Sequence, residues 1–411
     1  MNRLFRKENL IISLVAFSFS SLLMLILLSP NNLWYKLFTF LNIPAGGGLD
    51  LADAKSIVSY AEIFLEKGFV EDNAVDFWNR KFHSISFIWK NIAILFKFYK
   101  PINFYIFIYI SFFIYIFSFL KIAYVSKKKI NFLFLFFFLT TSSFYLIERG
   151  NFDLILFGLI TLLCFVKEKK YQLAIIILLT FLKINLIYLF FILVNNIKTF
   201  FKYFLVAIII LLINYKYVLT GYTEIGNSAS VIHYGVFTII KSTLHLLNKI
   251  IFFEVNKYTN LVGIFFLIVI LLILFYLFLK ELKRVRIKNI NLEFSLIEKL
   301  FLAGSFFYIF SFISFSAPDY KLVFLVLTLP YLFKKKYFFV ILLIFLIMNS
   351  CILETYPLFQ NIFNGEPRIY TEKYSAKYLV SGFIIHTLKI LTFIILFKKT
   401  LNIYRKKIAN F

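Results

Sequence analysis

Residues that could do chemistry gather in four short clusters at the edges of apolar stretches. One cluster is ERGNFD at 148–153, which lies between INFLFLFFFLTTSSFYL and LILFGLITLLCFV. The others are LKIN at 182–185, SAPDYK at 316–321, and the aspartates of GGLDLAD at 47–53. One charged group at a membrane boundary usually only snorkels to water, whereas four such clusters on one side of a membrane predict a site.

The residue types in these clusters suit the binding and transfer of a phosphorylated substrate. The cations suited to a phosphate or pyrophosphate are Arg149, Lys183 and Lys321. The carboxylates suited to hydroxyl binding or proton abstraction are Asp50, Asp53, Asp153 and Asp319. Asn151 and Tyr320 lie in the same clusters and complete the predicted substrate-binding set. The two cysteines, Cys164 and Cys351, both lie in apolar stretches, so we predict no disulfide framework, no metal and no other cofactor.

The composition of the chain predicts a helical protein that crosses a membrane many times. Of its 411 residues, 61% are hydrophobic and 16% charged, and the mean hydropathy is +0.86. Soluble domains have roughly 45–50% apolar and about 25% charged residues. The net charge of +25 comes from short runs of Lys and Arg between apolar segments. Such runs act as topology signals and contacts to anionic headgroups, so nucleic acid is not an expected partner and membrane lipids are.

Apolar runs of bilayer length predict ten spans and, with an unusual segment at 172–195, a bundle of 10–12 helices in a single domain, 1–411. The predicted spans are 10–28, 103–125, 131–147, 153–166, 203–219, 259–279, 300–316, 320–333, 337–353 and 378–397. Basic loops such as SKKK, KEKK and KELKRVRIK should be cytoplasmic, together with both termini. Alternation then predicts a plasma-membrane protein with these segments outside: 29–100, 148–152, 222–257, 317–319 and 354–377.

Segment 172–195 must begin and end on the cytoplasmic side for this alternation to hold. Two short half-spans that meet at LKIN satisfy the demand, and they bring Lys183 to the outer leaflet, where its charge leaves the hydrocarbon. The alternative is one continuous helix from which Lys183 snorkels, with the alternation of loops broken elsewhere.

The first outer loop, 29–100, is predicted to be the catalytic loop and to contain an amphipathic helix on the membrane surface. Its helical stretch follows a Gly run and Asp50 and Asp53, and has apolar residues at Ile57, Val58, Ala61, Phe64 and Leu65. Each aspartate could act only as a helix N-cap. Asp53 would lie in the first turn, free to project toward a substrate bound between this loop and the bundle.

Several of these motifs together resemble the GT-C superfamily of integral-membrane glycosyltransferases. The motifs are GGLDLADAKSI, ERGNFDLILFGLITLL with its following basic turn, QLAIIILLTFLKINLIYLFFIL, GNSASVIHYG and SAPDYKLVFLVLTLP. Within the superfamily, the chain is most similar to glycosyltransferase family 87, the polyprenyl-phosphate-sugar-dependent, mannosyltransferase-like group. The likeness covers most of residues 1–335.

The resemblance implies a sugar donor on a polyprenyl phosphate, a lipid-linked or surface glycan acceptor on the outer face, and an aspartate of the first outer loop as the base. Asp53 in ADAKSI matches that acidic position, with Asp50 as the fallback. Arg149, Asn151 and Asp153 match an RGN-x-D element. Lys183 matches a lysine that is followed by a proline in the family, whereas this chain reads KINL.

The chemistry expected of these residues is an inverting displacement. Cations near the outer leaflet would stabilise the charge that develops on the departing polyprenyl phosphate, and an ionised aspartate would take the acceptor's proton. A polysaccharide polymerase is one alternative, although the late outer loop, 354–377, is modest for that class. A non-enzymatic flippase or transporter is the other, and we expect from it internal repeats or polar residues in mid-span, neither of which is predicted.

Overall fold

The computed structural model describes residues 2–30, 33–40, 51–70, 87–127, 132–194, 197–213, 233–234, 293–313, 317–350 and 376–409, with isolated positions in 269–280. Within these ranges the chain is almost entirely helical. The α-helices are α1 (Asn2–Leu27), α2 (Leu33–Phe40), α3 (Ala52–Lys67), α4 (Phe87–Leu95), α5 (Pro101–Lys127), α6 (Phe132–Phe138), α7 (Thr141–Arg149), α8 (Asp153–Phe165), α9 (Lys169–Leu182), α10 (Ile197–Ile213), α11 (Leu296–Ile313), α12 (Leu329–Lys334), α13 (Phe338–Met348) and α14 (Ala376–Ala409). The first 3-10 helix is Ile184–Leu193 and the second is Asp319–Thr328.

Three of the described helices are long and apolar enough to cross a membrane. Their membrane-length parts are Glu8–Leu27 of α1, Pro101–Val125 of α5 and Leu296–Ile313 of α11. About 28% of the first is buried in the protein and 72% of the third. The apolar side chains of α1 therefore face outward at the edge of the bundle, and α11 lies in its interior. This agrees with the predicted helical membrane protein, while the predicted total of 10–12 spans is not shown by the described helices.

The interior of the bundle is built around α11 and the second 3-10 helix. The rings of Phe307 and Phe324 stack with their centroids 3.8 Å apart and their planes 8° from parallel. Gly304 allows this approach, since a Cβ at that position would lie 2.9 Å from the backbone oxygen of Phe324. The second 3-10 helix also packs against α7, and α11 packs against the first 3-10 helix. These contacts bring three of the polar clusters toward one end of the molecule.

The break predicted within 172–195 is confirmed. Helix α9 ends at Leu182, Lys183 is extended with φ −153° and ψ 106°, and the first 3-10 helix starts at Ile184. The two short helices pack against each other. One continuous helix with a snorkelling Lys183 is therefore wrong. No proline is needed for the break, because Lys183 is held by another helix, as described below.

Two predicted spans are wrong as single helices. Segment 131–147 is divided into α6 and α7 at Leu139 and Thr140, and 320–333 begins as a 3-10 helix that continues into α12. The first break follows from the polar run TTSS. The hydroxyls of Thr140 and Ser143 both donate to the backbone oxygen of Phe137, at 2.9 and 3.0 Å, and so compete with the helical hydrogen bonds there. Helix α7 is consequently short, and nearly all of it is buried.

The amphipathic helix predicted for the first outer loop is α3. Its buried face consists of Ala54, Ile57 and Ala61, each 1–2% exposed, which matches the predicted spacing in part. Leu65, which the pattern placed on the same face, is 60% exposed.

A short strand pairing joins two segments that were predicted to share the outer face. His233 and Tyr234 pair in antiparallel register with Pro318 and Ala317. The pairing places this part of the predicted outer loop 222–257 beside the SAPDYK cluster. The predicted side of the membrane for these two segments stays a prediction. The predicted loop 354–377, apart from its last two residues, lies outside the described residues.

Candidate functional site

The start of α3 docks onto the turn that follows α7. The backbone N–H of Leu51 donates to the backbone oxygen of Glu148 at 2.9 Å. Gly150 has φ +57°, and a Cβ there would lie 2.8 Å from Leu51 Cδ2 and 3.3 Å from Ala54 Cβ. Glycine is needed at position 150 for two reasons. It adopts the left-handed backbone conformation without strain, and it lets α3 approach the turn closely. This contact brings the first turn of α3 beside the ERGNFD cluster.

Asp53 is the aspartate that this docking delivers to the cluster. Its Oδ2 accepts a hydrogen bond of 2.7 Å from Asn151 Nδ2, and its Oδ1 lies 3.7 Å from a guanidinium nitrogen of Arg149. The side chain of Asp53 is 17% exposed, so it is oriented by its neighbours and still reached from outside. Three of the predicted site residues therefore meet.

Arg149 is surrounded by acidic and aromatic groups. It donates to the Tyr145 hydroxyl at 3.1 Å and its Nε lies 3.7 Å from the Glu148 carboxylate. Burial disfavours the charged guanidinium, but Tyr145, Asp53 and Glu148 more than offset this and raise the pKa of Arg149 above its ordinary value. The cation is permanent, and its charge is shared by two carboxylates.

Asn151 links Asp53 to a second ion pair. Its Oδ1 accepts a hydrogen bond of 2.9 Å from the backbone N–H of Asp153, at the start of α8. The Asp153 carboxylate accepts two hydrogen bonds from Lys183 Nζ, at 2.5 and 2.7 Å. Asp153 is 1% exposed and Lys183 22%. The RGN-x-D element and the LKIN break therefore form one polar network that joins α3, α7, α8 and α9.

Lys321 is the third predicted cation, and it lies at the start of the second 3-10 helix. The charges of Lys183, Asp153 and Asp53 all act on its ammonium group. Among the residues that the structure describes, no carboxylate forms an ion pair with Lys321. Arg149 and Lys183, in contrast, each have at least one carboxylate within 4 Å.

Aromatic residues of α4 and α5 cover the same turn. Trp89 of α4 stacks on Phe152 with ring centroids 4.1 Å apart, and Phe107 of α5 lies 5.7 Å from Phe152. Trp89 and Tyr145 were not among the predicted site residues, and Glu148, although part of the ERGNFD cluster, was given no role. For Tyr145 a signal existed, because it lies four residues before Arg149 on one helix and therefore on the same face.

Three predicted site residues cannot be placed in this network. Asp50 and the side chains of Asp319 and Tyr320 lie outside the described part of the chain. Within that part, no three His, Cys, Asp or Glu side chains are grouped so as to hold a metal ion.

A second set of polar residues lies in the predicted span 378–397, where none was expected. His386 is 7% and Lys389 0% exposed in α14, and the Tyr308 hydroxyl donates to the Lys389 backbone oxygen at 2.8 Å. The expectation of no polar residue in mid-span is therefore wrong. The signal was present as HTLK, which interrupts the apolar run with two ionisable residues three positions apart.

The chain was compared with protein-family models, with curated proteins and with solved structures. None of the three comparisons found a match. The assignment of a function therefore depends on the geometry of the site.

Proposed function

We propose that the protein is a GT-C-like membrane glycosyltransferase that inverts configuration at the transferred sugar. It moves the sugar from a polyprenyl-phosphate donor to a lipid-linked or surface glycan on the outer face of the plasma membrane, with both termini cytoplasmic. The observation that carries the proposal is the Asp53 carboxylate, which Asn151 and Arg149 orient beside the turn between α7 and α8 and which stays 17% exposed.

Asp53 is the base in this reaction. It accepts the proton of the acceptor hydroxyl while the hydroxyl oxygen bonds to the anomeric carbon, and the bond from that carbon to the phosphate oxygen breaks. Polyprenyl phosphate leaves with the electron pair. Asn151 and Arg149 act as positioning residues, because each contacts one carboxylate oxygen and restricts the rotation of the side chain.

Lys321 is the cation best suited to the leaving phosphate. Negative charge develops on that phosphate in the transition state, and a cation held nearby in a partly buried site stabilises it. Arg149 and Lys183 were predicted for the same task. Their charges are shared with Asp53, Glu148 and Asp153, whereas no described carboxylate forms an ion pair with Lys321.

Replacement of Lys321 should therefore weaken donor binding. We expect Lys321→Gln to lose about 1.5–3 kcal/mol of donor binding free energy, the usual contribution of a hydrogen bond to a charged group. The donor Kd should rise accordingly. Fluorescence titration with a labelled polyprenyl-phosphate sugar measures it. The matched control is Lys202→Gln, at an exposed position of α10, which should bind as the natural protein does. Equal donor affinity in both variants would exclude Lys321 from the phosphate site.

Sealed membrane vesicles of both orientations test the proposed function. The vesicles receive a radiolabelled polyprenyl-phosphate sugar and membrane-impermeant oligosaccharides released from the glycolipids of the producing cells. We expect right-side-out vesicles to label the oligosaccharides and to release free polyprenyl phosphate, and inside-out vesicles to do neither. Transfer by inside-out vesicles alone would contradict the orientation, and no transfer by either would contradict the activity.

A lipid-linked glycan transporter is the second candidate, because His386 and Lys389 are buried within a predicted span. Ionisable side chains inside a membrane protein frequently mark a transport pathway. The same vesicles separate the two functions. A transporter would carry the labelled lipid across the membrane with its sugar attached, and it would release no free polyprenyl phosphate.

A further inference from the structure

A cleft opens between α3 and the loop that leads into α5. Its volume is about 290 Å³. Helix α3 contributes Lys55, Ser59 and Glu62, whose spacing places them on one face of the helix. The facing wall contains Tyr99, Phe104 and Tyr105. From the helical repeat, Glu62 lies about 180° around the axis from Asp53, so the cleft is on the far side of α3 from the carboxylate of Asp53.

The aromatic wall of this cleft is held in place by the protein. Asn103 Nδ2 donates to the backbone oxygen of Phe96 at 2.9 Å, and the N–H of Phe98 donates to the backbone oxygen of Ala93 at 2.9 Å. The Phe98 ring packs on Phe107 with centroids 4.6 Å apart. These contacts within the protein fix the loop that presents Tyr99, so a ligand would lose little free energy to ordering it.

The polar groups in the cleft have binding capacity left over. Within the described ranges, no hydrogen bond or ion pair engages the Lys55 ammonium, the Glu62 carboxylate, or the hydroxyls of Tyr99 and Tyr105. Together they offer donors and acceptors around aromatic rings. This combination fits a sugar, which presents hydroxyls at its rim and C–H groups on its faces. The volume is at the lower end of the usual range for small-molecule sites, which is enough for one sugar unit.

We propose that this cleft binds a sugar unit of the acceptor glycan, several units away from the unit whose hydroxyl is glycosylated. The inference rests on the proposed function, which makes Asp53 the base for that hydroxyl. Helix α3, about 10–12 Å across with its side chains, separates the cleft from Asp53, so one sugar cannot occupy both places. Only a glycan several units long reaches both. Lys55 and Glu62 give the cleft one positive and one negative charge, which fits an uncharged sugar better than an anionic phospholipid headgroup.

Titration of the purified protein in nanodiscs tests this site. The ligands are the oligosaccharides released by mild acid from the glycolipids of the producing cells, and calorimetry measures their Kd. We expect Glu62→Gln and Tyr99→Leu each to raise the Kd about 10-fold or more, as expected when a charge-assisted hydrogen bond or a stacking face is lost. Glu66→Gln makes the same charge change at an exposed position of α3 outside the cleft, and it should leave the Kd unchanged.

Three results would overturn the inference. The first is that the natural protein binds none of the oligosaccharides, and the second is that Glu62→Gln leaves the Kd unchanged. The third is that native mass spectrometry finds phospholipid bound to the natural protein and missing from both cleft variants. Vesicle transfer is measured separately, so the two proposals fail independently. Transfer with a Kd insensitive to Glu62→Gln rejects the cleft alone, and binding of oligosaccharide without transfer rejects the glycosyltransferase.

Discussion

The Asp53→Asn protein should fold and bind donor, and it should transfer sugar about 10²–10⁴-fold more slowly than the natural protein, the usual contribution of a general base. The amide at position 53 keeps an oxygen that can accept the hydrogen bond from Asn151, so the docking of α3 is preserved. The amide cannot accept the proton of the acceptor hydroxyl. Initial rates of transfer at saturating donor measure the effect, with thermal unfolding as the check on folding.

The control for this prediction is Asp50→Asn, which should lower transfer far less. Asn and Asp cap helices almost equally well, so a purely structural role for either aspartate predicts near-normal transfer in both variants. A dead Asp50→Asn protein would move the base three residues along the loop. Full transfer in both variants and in the double variant would leave Asp153 and Asp319 as candidates. Asp153 would be a poor base, because it is 1% exposed and bound twice by Lys183.

The Lys183→Met protein should be destabilised by about 3–5 kcal/mol, the usual cost of leaving one member of a buried ion pair without its partner. The substitution removes both hydrogen bonds that Lys183 donates to the Asp153 carboxylate. Because this carboxylate is 1% exposed, water cannot replace them. It also removes the contact that holds the break between α9 and the first 3-10 helix. Tryptophan fluorescence during thermal unfolding in detergent measures the loss.

The double variant Lys183→Met, Asp153→Leu is the control for the ion pair. It removes both charges, so no charge remains buried, and it should recover most of the lost stability. An unfolding temperature that Lys183→Met leaves unchanged would mean that water solvates Asp153. Lys183 would then be a simple boundary cation and not part of a buried ion pair.

The sequence by itself determined the helical membrane class and the segments that carry the site. Hydropathy is a property of each stretch of chain, because partition into lipid depends on the residues of that stretch. The apolar lengths of α1, α5 and α11 and the polar interruption at 148–153 could therefore be read directly. The break at Lys183 was also predictable. The charges of the loops required segment 172–195 to begin and end on the cytoplasmic side, which one continuous helix cannot do.

The partners of these side chains were decided only by the tertiary structure. Asp53 and Asn151 are 98 residues apart in the chain, and Lys183 and Asp153 are 30 apart. Nothing local marks such pairs, because a contact depends on which helices pack and at what height. The sequence therefore grouped Lys183 with Lys321 as equal phosphate ligands. In the folded protein Lys183 pairs with Asp153, whereas no described carboxylate forms an ion pair with Lys321. Lys389 of α14 is buried as well, because burial is a property of the assembled bundle.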